Sequence, residues 1–570
     1  MLTSDKKVVQ LIIDQCYHHG VRNVVISPGS RNAPLSISFD EHPSIQTYVI
    51  HDERSAAFFA LGMSEQLNQP VALCCTSGSA ALNYYPAISE AYYRSIPLIV
   101  ITADRPEAWI NQGDGQTIMQ QNVYNKHVHH YVQLQDSLFT DEQKWLYQRE
   151  TAIGFEKALK SRKGPIHFNV SLSEPLYNSL EKTEDFSRKI EVLPLKIDWT
   201  NEVKSWAEKG LSSQKIMVLC GQQAKSAQLQ SALVQFSEHK NVAILVENTA
   251  NLVHANFNHC IDRSLYGLTD SQKEQLAPDL LITLGGAIVS KNIKTFLRKN
   301  PPKQHWKIGT DFPGMDTYQC LSHEIQSEAA LFFDKLNELV PAKTTSNYFT
   351  SWKEVDVKKQ EKTSGFNVKS EKLTDITVFQ SIFNLLPSSA ILHMSNSSVV
   401  RYCQLLEPNS SIEYRSNRGT SGIDGSTSTA VGAAFMDPHN LHVLLTGDIS
   451  FLYDSNALWN KYQPSNLKII VINNHGGGIF RIIPGPAESK QLETYFEAKH
   501  HQNSGKIADA YGWAYALIQE KDNLNEQLSE FLNSELKQPA ILEIYTDSTQ
   551  NPLDLQEFFN FLISYYDGIF

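Results

Sequence analysis

The sequence predicts an α/β protein built from three doubly wound domains with mainly parallel sheets. The chain has 570 residues, which is too long for one hydrophobic core and suits about three domains of ordinary size. Short strands that are apolar throughout alternate with helical stretches, as is typical of a parallel sheet covered on both faces. Polar segments interrupt this alternation twice, so we expect domains at residues 1–180, 195–342 and 370–570.

In the first domain, the amphipathic N-terminal stretch predicts a capped helix that ends at Gly20. The stretches RSAAFFALGMSEQLN and SAALNYYPAISEAYYRS predict further helices. The expected strands are NVVIS, IQTYVIHDE, VALCCTSG and IPLIVITAD. The segment 172–196 loses this alternation and predicts a linker.

The pattern resumes in the second domain with the expected strands KIMVLCG, VAILVEN, LLITLGG and HWKIGTD. A polar, lysine-rich segment containing one amphipathic stretch then predicts a second connection. In the third domain the expected strands are AILHMSN, SIEYRSN, LHVLLTGD and LKIIVINN, and we expect the helix SNALWNKYQ between the last two. No sequence repeat is visible among the three domains.

Composition and charge narrow the function classes. Hydrophobic residues make up 41% of the chain and charged residues 19%, which is ordinary for a globular protein. The formal net charge of −11 makes a duplex-binding surface unexpected, although a locally basic pocket for an anionic substrate stays compatible with it. The seven cysteines show no metal-finger spacing, and no apolar run reaches the ~20 residues of a membrane span, so we expect a cytoplasmic protein with reduced thiols.

In open parallel sheets, ligands bind beyond the carboxyl ends of the strands, so the loops at these ends carry the functional signal. The sequence contains no GxxxxGK[ST], no strand-linked GxGxxG, no HExxH and no GxSxG. The sequence therefore gives no support for a P-loop protein, a dinucleotide-binding protein, a zinc protease or a hydrolase of these types.

Two strand ends of the third domain carry oxygen donors. Gly447 and Asp448 end one expected strand, and Asn474 ends another, 26 positions after Asp448. A carboxylate, a carboxamide oxygen and the carbonyl of Gly476 in the glycine loop would give Mg²⁺ three oxygen ligands beside a phosphate. The alternative is an ordinary strand-end Asp and a turn-forming Asn pair.

The spacing of these strand ends resembles the GDG…NN diphosphate-binding motif of the thiamine-diphosphate enzymes, with Ile449 in place of the last Gly. That family also has a glutamate at the position of Glu53, in the sequence HDERSAAFFALG. The resemblance implies that Glu53 is the catalytic acid that hydrogen-bonds the cofactor's pyrimidine. Without the resemblance, Glu53 reads as an acid stabilised by a helix N-terminus.

The resemblance covers the whole chain and implies a pyrimidine-binding domain, a central domain and a diphosphate- and metal-binding domain. The segments SPGSRNAPL, SNRGTSGIDGSTSTA and GDISFLYDSNAL are most similar to the branch that serves menaquinone biosynthesis. For this branch we expect a transferase that decarboxylates 2-oxoglutarate and adds the product to isochorismate, with thiamine diphosphate and Mg²⁺ or Mn²⁺. Alternatives are an acetolactate-synthase-like carboligase or decarboxylase and a non-catalytic nucleotide-binding regulator.

The resemblance also implies the remaining site residues. Four arginines at or just after expected strand ends suit substrates that bring four carboxylates, although a single arginine is more often a surface ion-pair partner. The expected substrate-binding residues are Ser30, Arg31, Arg105, Gln116, Lys291, Ser397, Arg401, Arg418, Ile479, Phe480 and Ile483. The expected cofactor-binding residues are Glu53, Gly422, Ile423, Gly447, Asp448, Ser450, Asn474, Gly476 and Ile479.

Two further expectations concern the assembly and the central domain. In the family one site is completed by two subunits, so we expect a homodimer or homotetramer without nucleic-acid or integral-membrane partners. Asn292 follows Lys291 where some relatives carry a second base, which leaves the central domain's substrate contacts open. We assign no histidine a catalytic role.

Overall fold

The computed structural model describes residues 1–136, 139–160, 162–190, 199–339, 345–535 and 538–563. The chain divides into two compact units. One contains Met1–Pro194, Asn417–His439 and Ser450–Leu467, and the other contains Leu195–Ser416, Asn440–Ile449 and Lys468–Phe570. The boundaries of the three expected domains stay predictions, and those at 195, 342 and 570 lie outside the described residues.

The N-terminal region forms a six-stranded parallel sheet and a two-stranded antiparallel one. Its strands are β1 (Leu2–Ser4), β2 (Asn23–Ser27), β3 (Gln46–Val49), β4 (Val71–Cys75), β5 (Leu98–Asp104), β6 (Tyr131–Gln135), β7 (Ile166–Ser171) and β8 (Ser179–Glu181). Its helices are α1 (Lys7–His18), α2 (Ala33–Asp40), α3 (Glu53–Leu67), α4 (Ser79–Asn83), α5 (Tyr85–Arg94) and α6 (Asp141–Leu159). Strands β4 and β5 are buried along their whole length, which explains their predominantly apolar sequences.

The central region forms a five-stranded parallel sheet. Its strands are β9 (Ile216–Cys220), β10 (Val242–Val246), β11 (Leu280–Leu284), β12 (Gln304–Ile308) and β13 (His323–Ile325). Its helices are α7 (Asn201–Leu211), α8 (Ala227–Phe236), α9 (Ile261–Leu265), α10 (Asp270–Leu276), α11 (Lys291–Lys299), α12 (Ala329–Asn337) and α13 (Tyr348–Gly365). The expected connection therefore contains the helix α13, whose Trp352 is buried in the core of this sheet.

The C-terminal region forms a second six-stranded sheet. Its strands are β14 (Ile391–Met394), β15 (Glu413–Arg415), β16 (His442–Gly447), β17 (Leu467–Asn473), β18 (Ala514–Ile518) and β19 (Ala540–Tyr545). Its helices are α14 (Asp375–Leu385), α15 (Ser398–Cys403), α16 (Ser426–Met436), α17 (Asp448–Tyr453), α18 (Ser504–Tyr511), α19 (Leu524–Asn533) and α20 (Asn551–Ile563). No helix in the described part of the chain is long and apolar enough to cross a bilayer.

The N-terminal and C-terminal sheets share one topology. Their strand orders are β3-β2-β4-β5-β7-β6 and β15-β14-β16-β17-β19-β18. Numbered within each sheet, both read 2-1-3-4-6-5, so the chain contains a topological repeat that its sequence does not reveal. In such sheets the strand order reverses beside the first strand, and the carboxyl ends there form the usual ligand-binding edge.

Three local expectations are wrong. The N-terminal stretch begins with strand β1 before the helix, and Lys6 at the helix start makes no side-chain cap. The expected linker contains β8, which pairs with β1 across the sequence. The helix after β16 spans Asp448–Tyr453 and is followed by a 3-10 turn, so it begins earlier than expected. Three-residue strands show no periodicity, and the acid at position 448 favours a helix start there.

Candidate functional site

Strands β16 and β17 are neighbours in the C-terminal sheet, and their carboxyl ends carry the expected oxygen donors. Asp448 is buried at the first position of α17. Its Oδ1 accepts a hydrogen bond from the backbone N of Ile449 at 2.7 Å, and its Oδ2 accepts one from the backbone N of Gly476 at 2.9 Å. The structure thus brings Asp448 and the glycine loop together, as the strand-end argument requires.

Asn474 offers a second oxygen at this edge. Its side chain is buried, and its Oδ1 has no hydrogen-bond partner among the described residues. The side chain also hydrogen-bonds the carboxyl group of Asp375, which accepts from the amide nitrogen. An unpaired buried carboxamide oxygen costs about 1–3 kcal/mol, so a ligand at this position would remove a penalty. Asn473 instead donates to Glu543 at 2.7 Å and supports the strand end.

The glycines after Asn474 are needed for close approach. A Cβ at Gly476 would lie 2.7 Å from the carbonyl oxygen of Glu497, and a Cβ at Gly478 would lie 2.6 Å from the amide nitrogen of Asn474. Real Cβ atoms do not approach other atoms so closely. The loop therefore packs its backbone against Glu497 and Asn474 in a way that only glycine permits.

Two further residues at this edge of the sheet were not indicated as site residues by the sequence. His500 lies with Nε2 at 3.2 Å from Oδ2 of Asp448, and this carboxylate raises the pKa of His500 above its ordinary value. Asp375 starts α14, and its Oδ1 accepts from Thr546 at 2.6 Å and from Asn551 at 2.9 Å. Burial, reinforced by Asp448, raises the pKa of Asp375 to about 6.

Glu53 is the first residue of α3, directly after the carboxyl end of β3. Asp52 caps this helix by accepting from the backbone N of Ser55 at 3.2 Å. Oε2 of Glu53 lies 3.4 Å from the amide nitrogen of Asn83 and is reachable from solvent. Because Asp52 already caps the helix, the Glu53 carboxylate is not needed for that purpose.

Arg105 and Gln116 lie together beyond the N-terminal sheet. Nη1 of Arg105 donates to Ser77 at 2.8 Å and to the carbonyl oxygen of Gln116 at 3.0 Å, and its Nε pairs with Asp114. Asp104 ends β5, and its Oδ1 accepts a hydrogen bond from the backbone N of Arg105 at 2.8 Å. Burial raises the pKa of Asp104, and the positive charges of Arg105 and Arg31 oppose this rise. Arg105 follows β5, and Arg31 donates to Leu172 after the neighbouring strand β7, so two of the four expected arginines lie at one sheet edge.

Arg31 is anchored within this group. Its Nη1 donates to the carbonyl oxygen of Leu172 at 2.9 Å, and its Nη2 pairs with the exposed Glu174 at 3.1 Å. Its buried Nε has no partner among the residues that the structure describes. Ser30 precedes it and is exposed.

Hydrogen bonds from neighbouring side chains hold the expected cofactor-binding loop before α16. Glu90 on α5 is buried and accepts hydrogen bonds from the backbone N of Gly419 at 2.9 Å and of Thr420 at 2.6 Å. Oγ of Ser450 donates to the carbonyl oxygen of Ile423 at 3.0 Å. These bonds fix the loop that carries Arg418, Gly422 and Ile423, and Glu90 is a supporting residue that the sequence did not indicate.

Arg401 on α15 belongs to a separate polar group. Asp262 accepts a hydrogen bond from Ser290, and burial raises the pKa of this carboxyl group. The hydrogen bonds from Ser290 and Asn292 and the positive charge of Arg401 oppose this rise. Ser397 precedes α15 with a positive φ of 69°, and Lys291 is exposed at the start of α11. The structure therefore links Asn292, rather than Lys291, to the surroundings of Arg401.

The apolar residues after the glycine loop are half-buried. Ile479 and Phe480 lie in a 3-10 turn, Ile483 follows it, and the ring centroid of Phe480 is 5.7 Å from that of Phe496. An open apolar wall of this kind can line a pocket, so the three expected residues remain candidates.

The comparisons with known proteins agree with this geometry. Residues 6–127 match the family model described as "Thiamine pyrophosphate enzyme, N-terminal TPP binding domain", and residues 394–544 match "Thiamine pyrophosphate enzyme, C-terminal TPP binding domain". The solved structure of benzoylformate decarboxylase from Polynucleobacter necessarius superposes with a TM-score of 0.74 at 17% identity, covering 96% of this chain and 99% of that one. The fold, the residues at the strand ends and these matches thus place the chain in the class of thiamine-diphosphate enzymes.

Relatives of higher identity narrow the class. A protein of Flavobacterium johnsoniae is 43% identical over 97% of this chain and 98% of its own length, and one of Porphyromonas gingivalis is 37% identical over 98% of each. Both are named 2-succinyl-5-enolpyruvyl-6-hydroxy-3-cyclohexene-1-carboxylate synthase. The chain belongs to this family of thiamine-diphosphate-dependent synthases. The expected fold class and family are therefore confirmed, as is the expectation of thiamine diphosphate.

Proposed function

We propose that the protein decarboxylates 2-oxoglutarate and adds the resulting succinyl-semialdehyde carbanion equivalent to isochorismate in a 1,4 sense. The product would be 2-succinyl-5-enolpyruvyl-6-hydroxy-3-cyclohexene-1-carboxylate. The family membership over nearly the whole chain is the observation that carries this proposal. The six buried cysteines and the single half-buried one are all unpaired, which suits a cytoplasmic enzyme.

We assign the metal to Asp448, Asn474 and the carbonyl oxygen of Gly476, with Mg²⁺ preferred and Mn²⁺ as the substitute. The unpaired Oδ1 of Asn474 supports this assignment, because a cation would satisfy a buried oxygen that the described protein groups leave without a partner. Asp375 supports it as a positioning residue. By accepting a hydrogen bond from the amide nitrogen of Asn474, it leaves the carboxamide oxygen for the ion.

The remaining site residues are assigned by their chemistry. When bound, thiamine diphosphate supplies the nucleophilic carbon and the electron sink of the reaction. Glu53 holds and exchanges a proton at its carboxyl group, toward the pyrimidine ring. The glycine loop, Gly447, Gly422 and Ser450 bind the diphosphate and its surroundings, while Ile423 and Ile479 pack against the apolar parts of the cofactor.

The substrates bring two carboxylates each, and fixed guanidinium groups are their natural partners. Arg31 and Arg105 already hold the exposed carboxylates of Glu174 and Asp114, which substrate carboxylates would replace. We assign Arg31 and Arg105, together with the other expected residues Ser30, Gln116, Lys291, Ser397, Arg401, Arg418, Phe480 and Ile483, to substrate binding.

The deciding experiment is incubation of the full chain with 2-oxoglutarate, isochorismate, thiamine diphosphate and Mg²⁺, followed by mass analysis of the product. We expect one CO₂ released for each product molecule. Pyruvate replaces 2-oxoglutarate in a parallel reaction, because an acetolactate-synthase-like carboligase would use it. Release of CO₂ from pyruvate, with none from 2-oxoglutarate, would refute the proposal.

A further inference from the structure

The central sheet carries a cluster of three different metal-ligand types. His305 lies on β12, and Asp316 and Cys320 lie on the loop between β12 and β13. One donor atom from each residue lies within 4.8 Å of the other two. The cluster is composed of a nitrogen, an oxygen and a sulfur donor, in contrast to the oxygen donors around Asp448.

His305 is oriented like a metal ligand. Its side chain is 1% exposed, and its Nε2 lies 2.9 Å from the hydroxyl of Thr283 on the neighbouring strand. Its Nδ1 is buried and has no hydrogen-bond partner within the described ranges. With the Nε2 proton donated to Thr283, Nδ1 carries a free lone pair. A histidine whose second nitrogen is held by a neighbour is the usual arrangement of a metal-ligating imidazole.

Asp316 is held in place by the backbone of the same loop. Its Oδ1 accepts hydrogen bonds from the backbone N of Cys320 at 2.9 Å and of Leu321 at 3.0 Å. The second carboxylate oxygen stays available for a cation. Asp316 is exposed and Cys320 is a half-buried free thiol, so an ion can reach the cluster from solvent.

We propose that His305, Asp316 and Cys320 bind a zinc ion, with water at the fourth position. Mixed sulfur, nitrogen and oxygen donors suit Zn²⁺, whereas Mg²⁺ prefers oxygen alone. A neutral imidazole, a carboxylate and a thiolate together carry the charge that balances a divalent ion. Tetrahedral zinc sites have donors about 3–4 Å apart, so small side-chain rotations close the site from its present spacing.

The charges around the cluster permit a cation. Lys307 lies two residues after His305 on the same strand face, and its ammonium group pairs with Asp311 at 3.6 Å and with Glu324 at 3.4 Å. Its charge is therefore offset. Burial and Asp316 raise the pKa of the Cys320 thiol to about 11, so zinc must displace a proton from the sulfur.

The ion would pin the loop between β12 and β13 onto the sheet. It would close a ring of chain between His305 and Cys320. The inference is independent of the proposed reaction, because none of the three residues is assigned to substrate or cofactor.

The test is zinc binding to the full chain in the presence of thiamine diphosphate and excess Mg²⁺, measured by competition with a chromophoric chelator. We expect one zinc per chain that is lost or weakened at least about tenfold in Cys320→Ser and Asp316→Asn. Asp334→Asn is the control, because it removes an exposed acid of the same region, on α12, that belongs neither to the cluster nor to the ion pairs of Lys307. His305→Gln is a third variant, and thermal melts without zinc verify that each variant is folded.

Cobalt provides a second readout. Co²⁺ should give a thiolate charge-transfer band in the wild type and in Asp334→Asn, and the band should disappear in Cys320→Ser. Zinc should also raise the melting temperature of the wild type and of the control, but not that of the Cys320 and Asp316 variants. Equal zinc stoichiometry and affinity in the wild type and Cys320→Ser would overturn the inference, because the metal would then be bound elsewhere. These results do not depend on turnover, so they stand whether or not the proposed reaction is confirmed.

Discussion

At the scale of single residues, replacement of Glu53 distinguishes a catalytic role of its carboxyl group from a structural one. Replacement by Gln keeps the shape but removes the exchangeable carboxyl proton. We expect Glu53→Gln to lower kcat by about 10²–10⁴-fold, the usual contribution of a proton-transferring group. The affinities for thiamine diphosphate and Mg²⁺, measured by calorimetry, should stay within a few-fold.

The control for this prediction is Glu41→Gln, which removes an exposed acid at the end of α2. It should leave kcat unchanged. If Glu53 served only the helix dipole, its replacement would cost about 0.3–1 kcal/mol of stability and leave turnover near normal. That pattern would exclude the catalytic assignment.

Asp454 gives a prediction for pH. Its carboxyl group is fully buried and accepts from the backbone N of Ser428 at 2.6 Å and from its hydroxyl at 2.7 Å. Burial raises the pKa of Asp454 to about 7 from 3.8, against the opposing effect of the Ser428 hydrogen bonds. Between these two values the folded chain binds a proton that the unfolded chain has lost, so Asp454 lowers stability as pH rises through this window.

We therefore expect Asp454→Asn to flatten the dependence of stability on pH between about 4 and about 7. The slope should change by up to about 1.4 kcal/mol per pH unit, because one proton is removed from the linkage. Urea unfolding of wild type and variant at several pH values measures this difference. Parallel curves for the two proteins would show that Asp454 is ionised in the folded state.

At the scale of elements, helices α3 and α16 approach each other at the backbone. A Cβ at Gly432 would lie 2.1 Å from the carbonyl oxygen of Phe59, and one at Gly62 would lie 2.0 Å from that of Thr429. Gly432→Ala forces these helices apart, so we expect a loss of about 1–3 kcal/mol in the free energy of unfolding. Urea denaturation provides the measurement.

Gly365→Ala is the matched control, because it also lies in a helix and its Cβ would meet nothing within 4 Å. This change should be neutral or stabilising by less than about 1 kcal/mol. Equal effects of the two substitutions would mean that helix propensity, rather than the close approach, determines the result.

The elements also show what the sequence can predict. Long apolar strands such as β5 and β17 are visible because burial on both faces leaves a continuous apolar run. The short pair β1 and β8 is not, since three residues carry no period and their pairing spans the whole N-terminal region. The shared strand order of the two six-stranded sheets is equally hidden, because topology depends on which apolar strands pair.

In the candidate site, too, some residues can be predicted from the sequence and others cannot. Asp448, Asn474 and the glycines follow strand ends, and a strand end places a side chain at a known edge of the sheet. Asp375 and His500 reach that edge from α14 and from an irregular segment, and no local pattern marks either residue. Residues that hold other residues are therefore the part of the site that only the fold reveals.

At the scale of the whole molecule, the family resemblance predicts that two subunits complete each site. Chains carrying Glu53→Gln and chains carrying Asp448→Asn should each be inactive alone. Mixed in equal amounts before assembly, they should regain about a quarter of the wild-type sites, because in a symmetric dimer that fraction pairs an intact Glu53 with an intact Asp448 of the other chain.

The alternative gives a distinct result. If each site used Glu53 and Asp448 of one chain, no mixture would contain an intact site, since every chain lacks one of the two residues. Size-exclusion chromatography of the mixture verifies that mixed assemblies form. Activity that stays at the level of the separate variants would exclude a site shared between subunits.

The grouping of Asn417–His439 and Ser450–Leu467 with the N-terminal residues has a consequence for recombination. A recombination crossover at residue 370 would be expected to preserve the fold, because it falls between two expected domains. It would nevertheless separate α3 from α16, whose glycines are matched to each other's backbones. Gene segments exchanged between relatives at that point would inherit two mismatched helix faces. The residues that must come from the same parent are therefore encoded by separate segments of the gene.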